Sequence, residues 1–321
     1  MSGEFMSSGP AGSRECIGIE AIASYIPGNM ISNYTRKEQF AVDDNFIIEK
    51  IGVKKIALKD EMDEASDLCV KAYRKLCKKN SLKENDIDAV IVITQNPDTN
   101  IPHVSAIVHG KLGLADTCAC FDVSLGCSGF VYGLSILQSF MKENNFKKGV
   151  LFTSDPYSKV VDKDDRNTAM IFGDAATATL LSDKPLYTLE GITFGTLGRD
   201  YRELICINNK LHMNGRAVFN FVMTYVPDDI KMLLERKKIS IQDIDIFVFH
   251  QASKHLVDTL SARLHLDKKK VVFDIYEYGN TVSSTIPIIL EKELTNAENK
   301  FILISGFGVG LSWASGILKR V

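Results

Sequence analysis

Three residues far apart in the chain have the types that acyl chemistry needs: a thiol, an imidazole and a carboxamide. Cys127 sits in Phe121-Asp122-Val123-Ser124-Leu125-Gly126-Cys127-Ser128-Gly129-Phe130, where a strand-like run meets glycine and then a helix-like run. A thiol at a helix N-terminus feels unpaired backbone N–H groups and the positive end of the dipole, and both favour thiolate. The context therefore predicts a nucleophile. His250 closes Phe247-Val248-Phe249-His250, and Asn280 stands in Tyr278-Gly279-Asn280-Thr281. Taken singly, the cysteine is more often a small core residue, the histidine a satisfied core histidine and the asparagine a turn residue after glycine. Together, each at the end of a strand-like run, they read as a Cys-His-Asn set.

The elements that must position these residues occur twice. Asn85-Asp86-Ile87-Asp88-Ala89-Val90-Ile91-Val92-Ile93 is echoed by Gln242-Asp243-Ile244-Asp245-Ile246-Phe247-Val248-Phe249-His250. Each copy follows a charged amphipathic segment, predicted as helices over 63–80 and 227–238. The first has Asp63, Glu64 and Asp67 at its start and Lys75, Lys78 and Lys79 at its end, in the sense the helix dipole favours. Downstream, Lys148-Gly149-Val150-Leu151-Phe152-Thr153-Ser154 resembles Lys300-Phe301-Ile302-Leu303-Ile304-Ser305; upstream, Ile17–Ile22 resembles Leu189–Phe194. Two α/β halves, 15–186 and 187–321, are expected to share one core. The active groups then fall at the seam, with Cys127 from the first half and His250 and Asn280 from the second.

Composition narrows the class. The 321 residues are 45% hydrophobic and 24% charged, enough for a large core, and the longest apolar stretches are strand-sized. No secretory pattern precedes the first strand, and residues 1–14 read as a loose leader or expression scar, so the expected setting is cytoplasmic. A net charge of -2 argues against a nucleic-acid partner, and nothing points to a membrane. Seven cysteines without disulfide or zinc spacing suit reduced thiols; the close pair Cys118-Ala119-Cys120 lacks the further ligands a metal needs. Gly306-Phe307-Gly308-Val309-Gly310 lies too near the chain end for a dinucleotide-binding β-α-β unit.

The Cys127 segment, Ile171-Phe172-Gly173-Asp174-Ala175-Ala176, His250-Gln251-Ala252, Gly279-Asn280-Thr281 and Gly306–Gly310 occur in this order. As a set they resemble the beta-ketoacyl-acyl-carrier-protein synthase III family, the initiating condensing enzymes of the thiolase superfamily, from about Ile17 to Val321. The resemblance implies a five-layered α-β-α-β-α fold and a homodimer. It implies that acyl-CoA loads Cys127 and that malonyl-acyl-carrier protein then condenses decarboxylatively, with His250 and Asn280 stabilising the enolate. The acyl oxyanion would lie on the backbone N–H groups of Cys127 and Val309, and no cofactor is implied beyond the CoA thioester substrate.

The resemblance also places a CoA site at Phe46, Lys50, Arg166 and Ser253. Phe46 stands where the family commonly has Trp, Lys50 where it has Arg, and Ser253 where it has Asn; Lys254-His255 replaces a stretch that usually offers Arg. These departures point to a specialised paralogue. Ile101 occupies the loop that reaches across the family's dimer to close the partner's acyl pocket, and a side chain smaller than Phe there predicts starters longer than acetyl. A cysteine hydrolase fits less well, because Leu125 takes the leading glycine position of a nucleophile elbow. The alternatives that keep the fold are a non-decarboxylating acyltransferase and a non-catalytic structural partner of a condensing enzyme.

Overall fold

The computed structural model describes residues 16–80 and 82–321; the leader-like segment lies outside them. In chain order the strands are β1 (Gly18–Tyr25), β2 (Asn29–Ser32), β3 (Lys55–Leu58), β4 (Ala89–Ile93), β5 (Ala119–Val123), β6 (Lys148–Ser154), β7 (Ala176–Ser182), β8 (Tyr187–Thr196), β9 (Leu204–Ile207), β10 (Lys210–Met213), β11 (Ile246–Phe249), β12 (Phe301–Gly308) and β13 (Ser312–Arg320). The helices are α1 (Lys37–Phe40), α2 (Ala65–Lys79), α3 (Val104–Leu112), α4 (Gly129–Asn144), α5 (Arg166–Ala169), α6 (Gly215–Lys237), α7 (Lys254–Arg263) and α8 (Thr285–Glu293).

The echo in the sequence becomes an echo in topology. One half runs β5-β4-β6-β7-β1, with β5, β4 and β6 parallel and β7 and β1 antiparallel to their neighbours. The other runs β11-β12-β13-β8, with β11 and β12 parallel and β13 and β8 antiparallel to their neighbours. Val271 bridges Phe247 in parallel, where β5 pairs with β4 in the first half. A single pairing, Ile19 with Tyr187, joins the two sheets. Strands such as β4, Ala-Val-Ile-Val-Ile, are buried along their whole length, as expected of parallel strands covered on both faces.

Helices α4 and α8 lie between the two sheets, α2 and α3 cover the outer face of the first, and α6 and α7 cover the outer face of the second. The layers are therefore α-β-α-β-α. Close approach in the middle layer depends on glycine: a Cβ at Gly129 would lie 2.4 Å from Ile93 Cγ2, and one at Gly133 would lie 2.8 Å from Leu151 Cδ1.

The predicted helix over 63–80 corresponds to α2, which Glu64 caps in a reciprocal capping box with Asp67. The one predicted over 227–238 is wrong at its start. Helix α6 begins at Gly215 and carries Pro227 inside it. The buried stripe Val218, Phe221, Val222, Val226, Ile230, Leu233 continues through the proline. Packing of that stripe on the second sheet outweighs the backbone hydrogen bond that Pro227 removes.

Because α4 is buried by both sheets, its side chains have no surface toward which to relax. Leu137→Ala, in the middle of α4 and fully buried, should lower unfolding free energy by about 2–5 kcal/mol in a denaturant titration. A loss below 1 kcal/mol would show that the middle layer is not the shared core.

Candidate active site

Cys127 immediately precedes Ser128, the N-cap of α4, and is buried. Strand β12 runs past it so closely that two of its residues must lack a side chain. A Cβ at Gly306 would lie 2.6 Å from the Cys127 carbonyl oxygen, and one at Gly308 would lie 2.7 Å from Sγ. The seam is stitched by Ser128 Oγ to Ser312 Oγ at 2.8 Å and by the Ser312 hydroxyl, which donates to the Val309 carbonyl at 2.8 Å. The N–H groups of Val309 and of Cys127 itself both donate toward Sγ. These are the two groups expected to form the acyl oxyanion site.

One electrostatic expectation is corrected. Burial pushes the Cys127 thiol up to about 12, and the charge of nearby Asp155 acts in the same direction, while the two backbone N–H groups only partly oppose them. In the closed site the resting group is a thiol rather than a dipole-stabilised thiolate.

His250 follows β11, and its N–H donates to the Ser305 carbonyl of β12 at 2.8 Å. Its ring packs edge-on to Phe307, with centroids 5.7 Å apart. Burial lowers its pKa to about 3, partly opposed by a contact to the Val282 carbonyl, so the imidazole is neutral at physiological pH. Nδ1 lies 2.8 Å from the Thr285 hydroxyl, which is also 3.1 Å from the Val282 carbonyl. The Thr285 hydroxyl has one proton to give, to the Val282 carbonyl or to Nδ1; in the tautomer in which Nδ1 accepts it, the ring proton resides on Nε2.

Asn280 is clamped by the Ile171–Gly173 segment: its N–H donates to Ile171 at 2.8 Å, and its carbonyl accepts from Gly173 N–H at 3.0 Å. The side-chain Oδ1 accepts from Val282 N–H at 2.9 Å, which fixes the carboxamide with its NH2 as the remaining donor. Val282 reaches both partners only by adopting φ +55°, a left-handed conformation that a β-branched residue rarely takes. Val282 also joins this pair to the nucleophile's loop, since a Cβ at Gly126 would touch both Val282 Cγ1 (3.4 Å) and Val309 Cγ1 (2.6 Å). Val282 thus ties the His250 and Asn280 segments to the loop that carries Cys127, beside Val309. Val282 and Thr285 were missed in the sequence, where a Val-Ser-Ser-Thr run after Asn280 reads only as helix lead-in.

The outlying residues are placed less uniformly. The Arg166 guanidinium lies over the Phe46 ring, 6.0 Å from its centroid, so these two form a pair. Lys50 is exposed on the same short helical segment as Phe46. Ser253 is the N-cap of α7, its hydroxyl accepting from Leu256 N–H at 3.3 Å, so a structural bond already engages it. Ile101 is 87% exposed on this chain and does not approach its own Cys127 site. A cavity of about 460 Å³ opens beside Val309, lined by Gln95, Asn96, Tyr157, Lys159, Ile205 and Leu211 among others.

A cysteine at the N-terminus of the central helix of a duplicated five-layered fold, with two backbone N–H groups beside its sulfur and a buried neutral imidazole and a clamped carboxamide tied to its loop through Val282, defines a thiolase-type acyltransferase. Comparison with known proteins specifies it further. Residues 121–198 match the family described as 3-oxoacyl-(acyl-carrier-protein) synthase III, and residues 234–320 match its C-terminal part. The beta-ketoacyl-(acyl-carrier-protein) synthase III of Streptococcus mutans is 31% identical over 321 residues, covering 94% of this chain and 98% of that protein. That of Lactococcus lactis is 30% identical over 322 residues with the same coverage of each. The crystal structure of the Thermus thermophilus synthase III has a TM-score of 0.87 at 29% identity, covering 95% of this chain and 99% of that one. The chain belongs to the beta-ketoacyl-(acyl-carrier-protein) synthase III family and is an initiating condensing enzyme, an acyltransferase. No helix among the described residues is long and apolar enough to cross a membrane.

The buried neutral His250 makes stability depend on pH. Its folded pKa, about 3, lies below the ordinary value of 6.5, so the unfolded chain binds the extra proton first. Its contribution is present above 6.5 and is lost as pH falls toward 3. Between pH 7 and pH 5 the wild type should lose about 2 kcal/mol through this group. His250→Gln should show a correspondingly flatter slope in urea titrations at the two pH values, and identical slopes would show that His250 is not held neutral.

Proposed function

We propose that Cys127 is the acylated nucleophile, that His250 and Asn280 drive decarboxylation, and that the backbone N–H groups of Cys127 and Val309 receive the acyl oxyanion. The observation that carries this reading is the pair of N–H groups aimed at Sγ on one side of the seam, with the Val282-tied His250 and Asn280 on the other. Sγ attacks the carbonyl of an acyl-CoA, the C–S bond to CoA breaks, and the departing thiolate takes the Cys127 proton. The neutral resting thiol fits this exchange, because one sulfur anion is never made without the other being protonated.

Malonyl-acyl-carrier protein enters next. The carbon–carboxylate bond breaks, carbon dioxide leaves, and the electron pair becomes a thioester enolate whose oxygen meets His250 Nε2–H and Asn280 Nδ2–H. Neutral donors suit this step, since a buried imidazolium would already be paired with the malonyl carboxylate and would oppose its loss. The enolate carbon attacks the acyl-Cys127 carbonyl, giving a 3-oxoacyl thioester, and the sulfur leaves and regains a proton. No step needs a metal or organic cofactor.

The same reading assigns the Phe46–Arg166 pair to the adenine of CoA and Lys50 to its phosphates. Ser253 acts there through the cap of α7. It assigns a homodimer, supported by Ile101, an apolar side chain left exposed on a loop that the partner's acyl pocket would bury. It keeps the halves 15–186 and 187–321 as the units of the duplication. It sets the enzyme in the cytoplasm, supported by seven cysteines that are all free. The non-decarboxylating acyltransferase is less well supported, because it has no use for two convergent neutral donors opposite the nucleophile.

Incubation with a cognate acyl-CoA should add the acyl mass to the wild-type protein and none to Cys127→Ala. Asn280→Ala should still load, yet lose about 100- to 1000-fold in release of carbon dioxide from malonyl-acyl-carrier protein. Normal decarboxylation by Asn280→Ala would return the site to simple acyl transfer.

Ile101→Phe should shift the preferred starter toward acetyl, each excluded methylene costing about 0.8 kcal/mol of transition-state binding. An unchanged chain-length profile, or a monomer under assay conditions, would defeat the dimer-gate assignment.

A further inference from the structure

The cavity beside the nucleophile is polar where an acyl chain would lie. Gln95 N–H and Asn96 Nδ2 donate to Asp155 Oδ1 at 3.1 and 2.9 Å, and the Tyr157 hydroxyl donates to Gln95 Oε1 at 3.3 Å. Those bonds orient the Gln95 carboxamide and leave its NH2 without an acceptor among the described residues. Gln95 also abuts the loop that carries Cys127, because a Cβ on Gly126, the residue before it, would lie 2.6 Å from Gln95 Oε1. Acyl pockets for plain hydrocarbons have no use for such a donor, since an apolar chain would cover it and leave it unpaired.

The charges around the cavity narrow the chemistry. Lys159, its one lysine, is already engaged by Glu64 Oε2 and the Pro97 carbonyl, both at 2.7 Å. Asp98 lines the same cavity, and its carboxylate is held by Ser66 N–H at 3.0 Å and by the Ser66 hydroxyl. Asp155 lies buried behind Gln95, with Oδ2 unpartnered. Glu64 already pairs the single lysine and Asp98 adds a further acidic group, which disfavours a second carboxylate on the acyl chain.

Building on the acyl-Cys127 reading, we infer that the starter is a short acyl group carrying a neutral hydrogen-bonding oxygen near the thioester, a hydroxyacyl chain, and that Gln95 selects it. The oxygen accepts from Gln95 Nε2, completing the chain Tyr157–Gln95–ligand. Gln95 is then a specificity residue rather than part of the bond-making machinery.

The test is the rate of acyl transfer to Cys127, read by intact mass with matched thioesters: butyryl-CoA, 3-hydroxybutyryl-CoA and succinyl-CoA. The wild type should load the 3-hydroxybutyryl group about tenfold faster than butyryl, the difference one net hydrogen bond makes, and succinyl slowest. Gln95→Met, which keeps length and removes the donor, should bring the two to parity or reverse them. Tyr157→Phe, which removes one hydroxyl and keeps the ring, should reduce the preference several-fold. Loading of butyryl as fast as or faster than 3-hydroxybutyryl, or of succinyl fastest, overturns the inference while the acylation reading stands. A preference that survives in both folded variants overturns the role of Gln95. Absence of any acyl-Cys127 with every thioester, acetyl-CoA included, instead sinks the reading on which the inference rests.

Discussion

The whole arrangement depends on how closely β12 passes the N-terminus of α4. Helix and strand belong to different halves, and the gap between them leaves no space for a Cβ at Gly306 or Gly308. That proximity puts the Val309 N–H on the sulfur and places β12 where its Ser305 carbonyl receives the His250 N–H. One backbone contact therefore sets the nucleophile, its oxyanion donors and the imidazole in a common frame. Residues with side chains at those glycines would separate the halves by more than a hydrogen bond tolerates.

Burial makes the site chemically quiet at rest. The thiol is raised to about 12, Asp155 to about 7, and the imidazole is lowered to about 3, each chiefly through desolvation. A low-dielectric pocket penalises any isolated charge, and it strengthens preformed donors at the moment a charge develops on substrate. The strained Val282 belongs to the same design. Its left-handed turn presents N–H to Asn280 and carbonyl to the His250–Thr285 pair, so the two side chains proposed to drive decarboxylation are oriented by one residue's backbone.

Much of this was readable in the sequence because it was written twice or written in glycine. The repeated Asp-Ile-Asp strands, the Gly-Cys-Ser-Gly turn and the Gly306–Gly310 run have backbone reasons to be what they are, and they located the seam, Cys127, His250 and Asn280. Helix α6 starts well before the expected 227, because burial of Phe221, Val222 and Val226 is a tertiary signal rather than a local one. The thiol's protonation was misjudged for a related reason. A helix N-terminus is visible in a sequence, but the depth at which it is buried is not. Ser253, placed in the CoA site by resemblance, caps α7 through its hydroxyl, a role that depends on where that helix starts.

The residues that shape the cavity left no motif at all. Gln95 and Tyr157 each follow a buried strand, β4 and β6, that the hydrophobic pattern identified, yet nothing marks the residues just beyond those ends as neighbours. They meet because β4 and β6 are parallel and in register, Ile93 opposite Thr153, so both chains leave the sheet on the same side and Asp155 reaches back to the Gln95 N–H. The groups at the seam are constrained by close backbone approach, and the glycines of β12 mark that approach in the sequence. The pocket wall is built from loops of both halves, with Gln95 and Tyr157 from the first and Ile205, Leu211 and Val309 from the second. Its polarity is set by side chains such as Gln95 and Tyr157, whereas the place of Cys127 is set by backbone contact with β12.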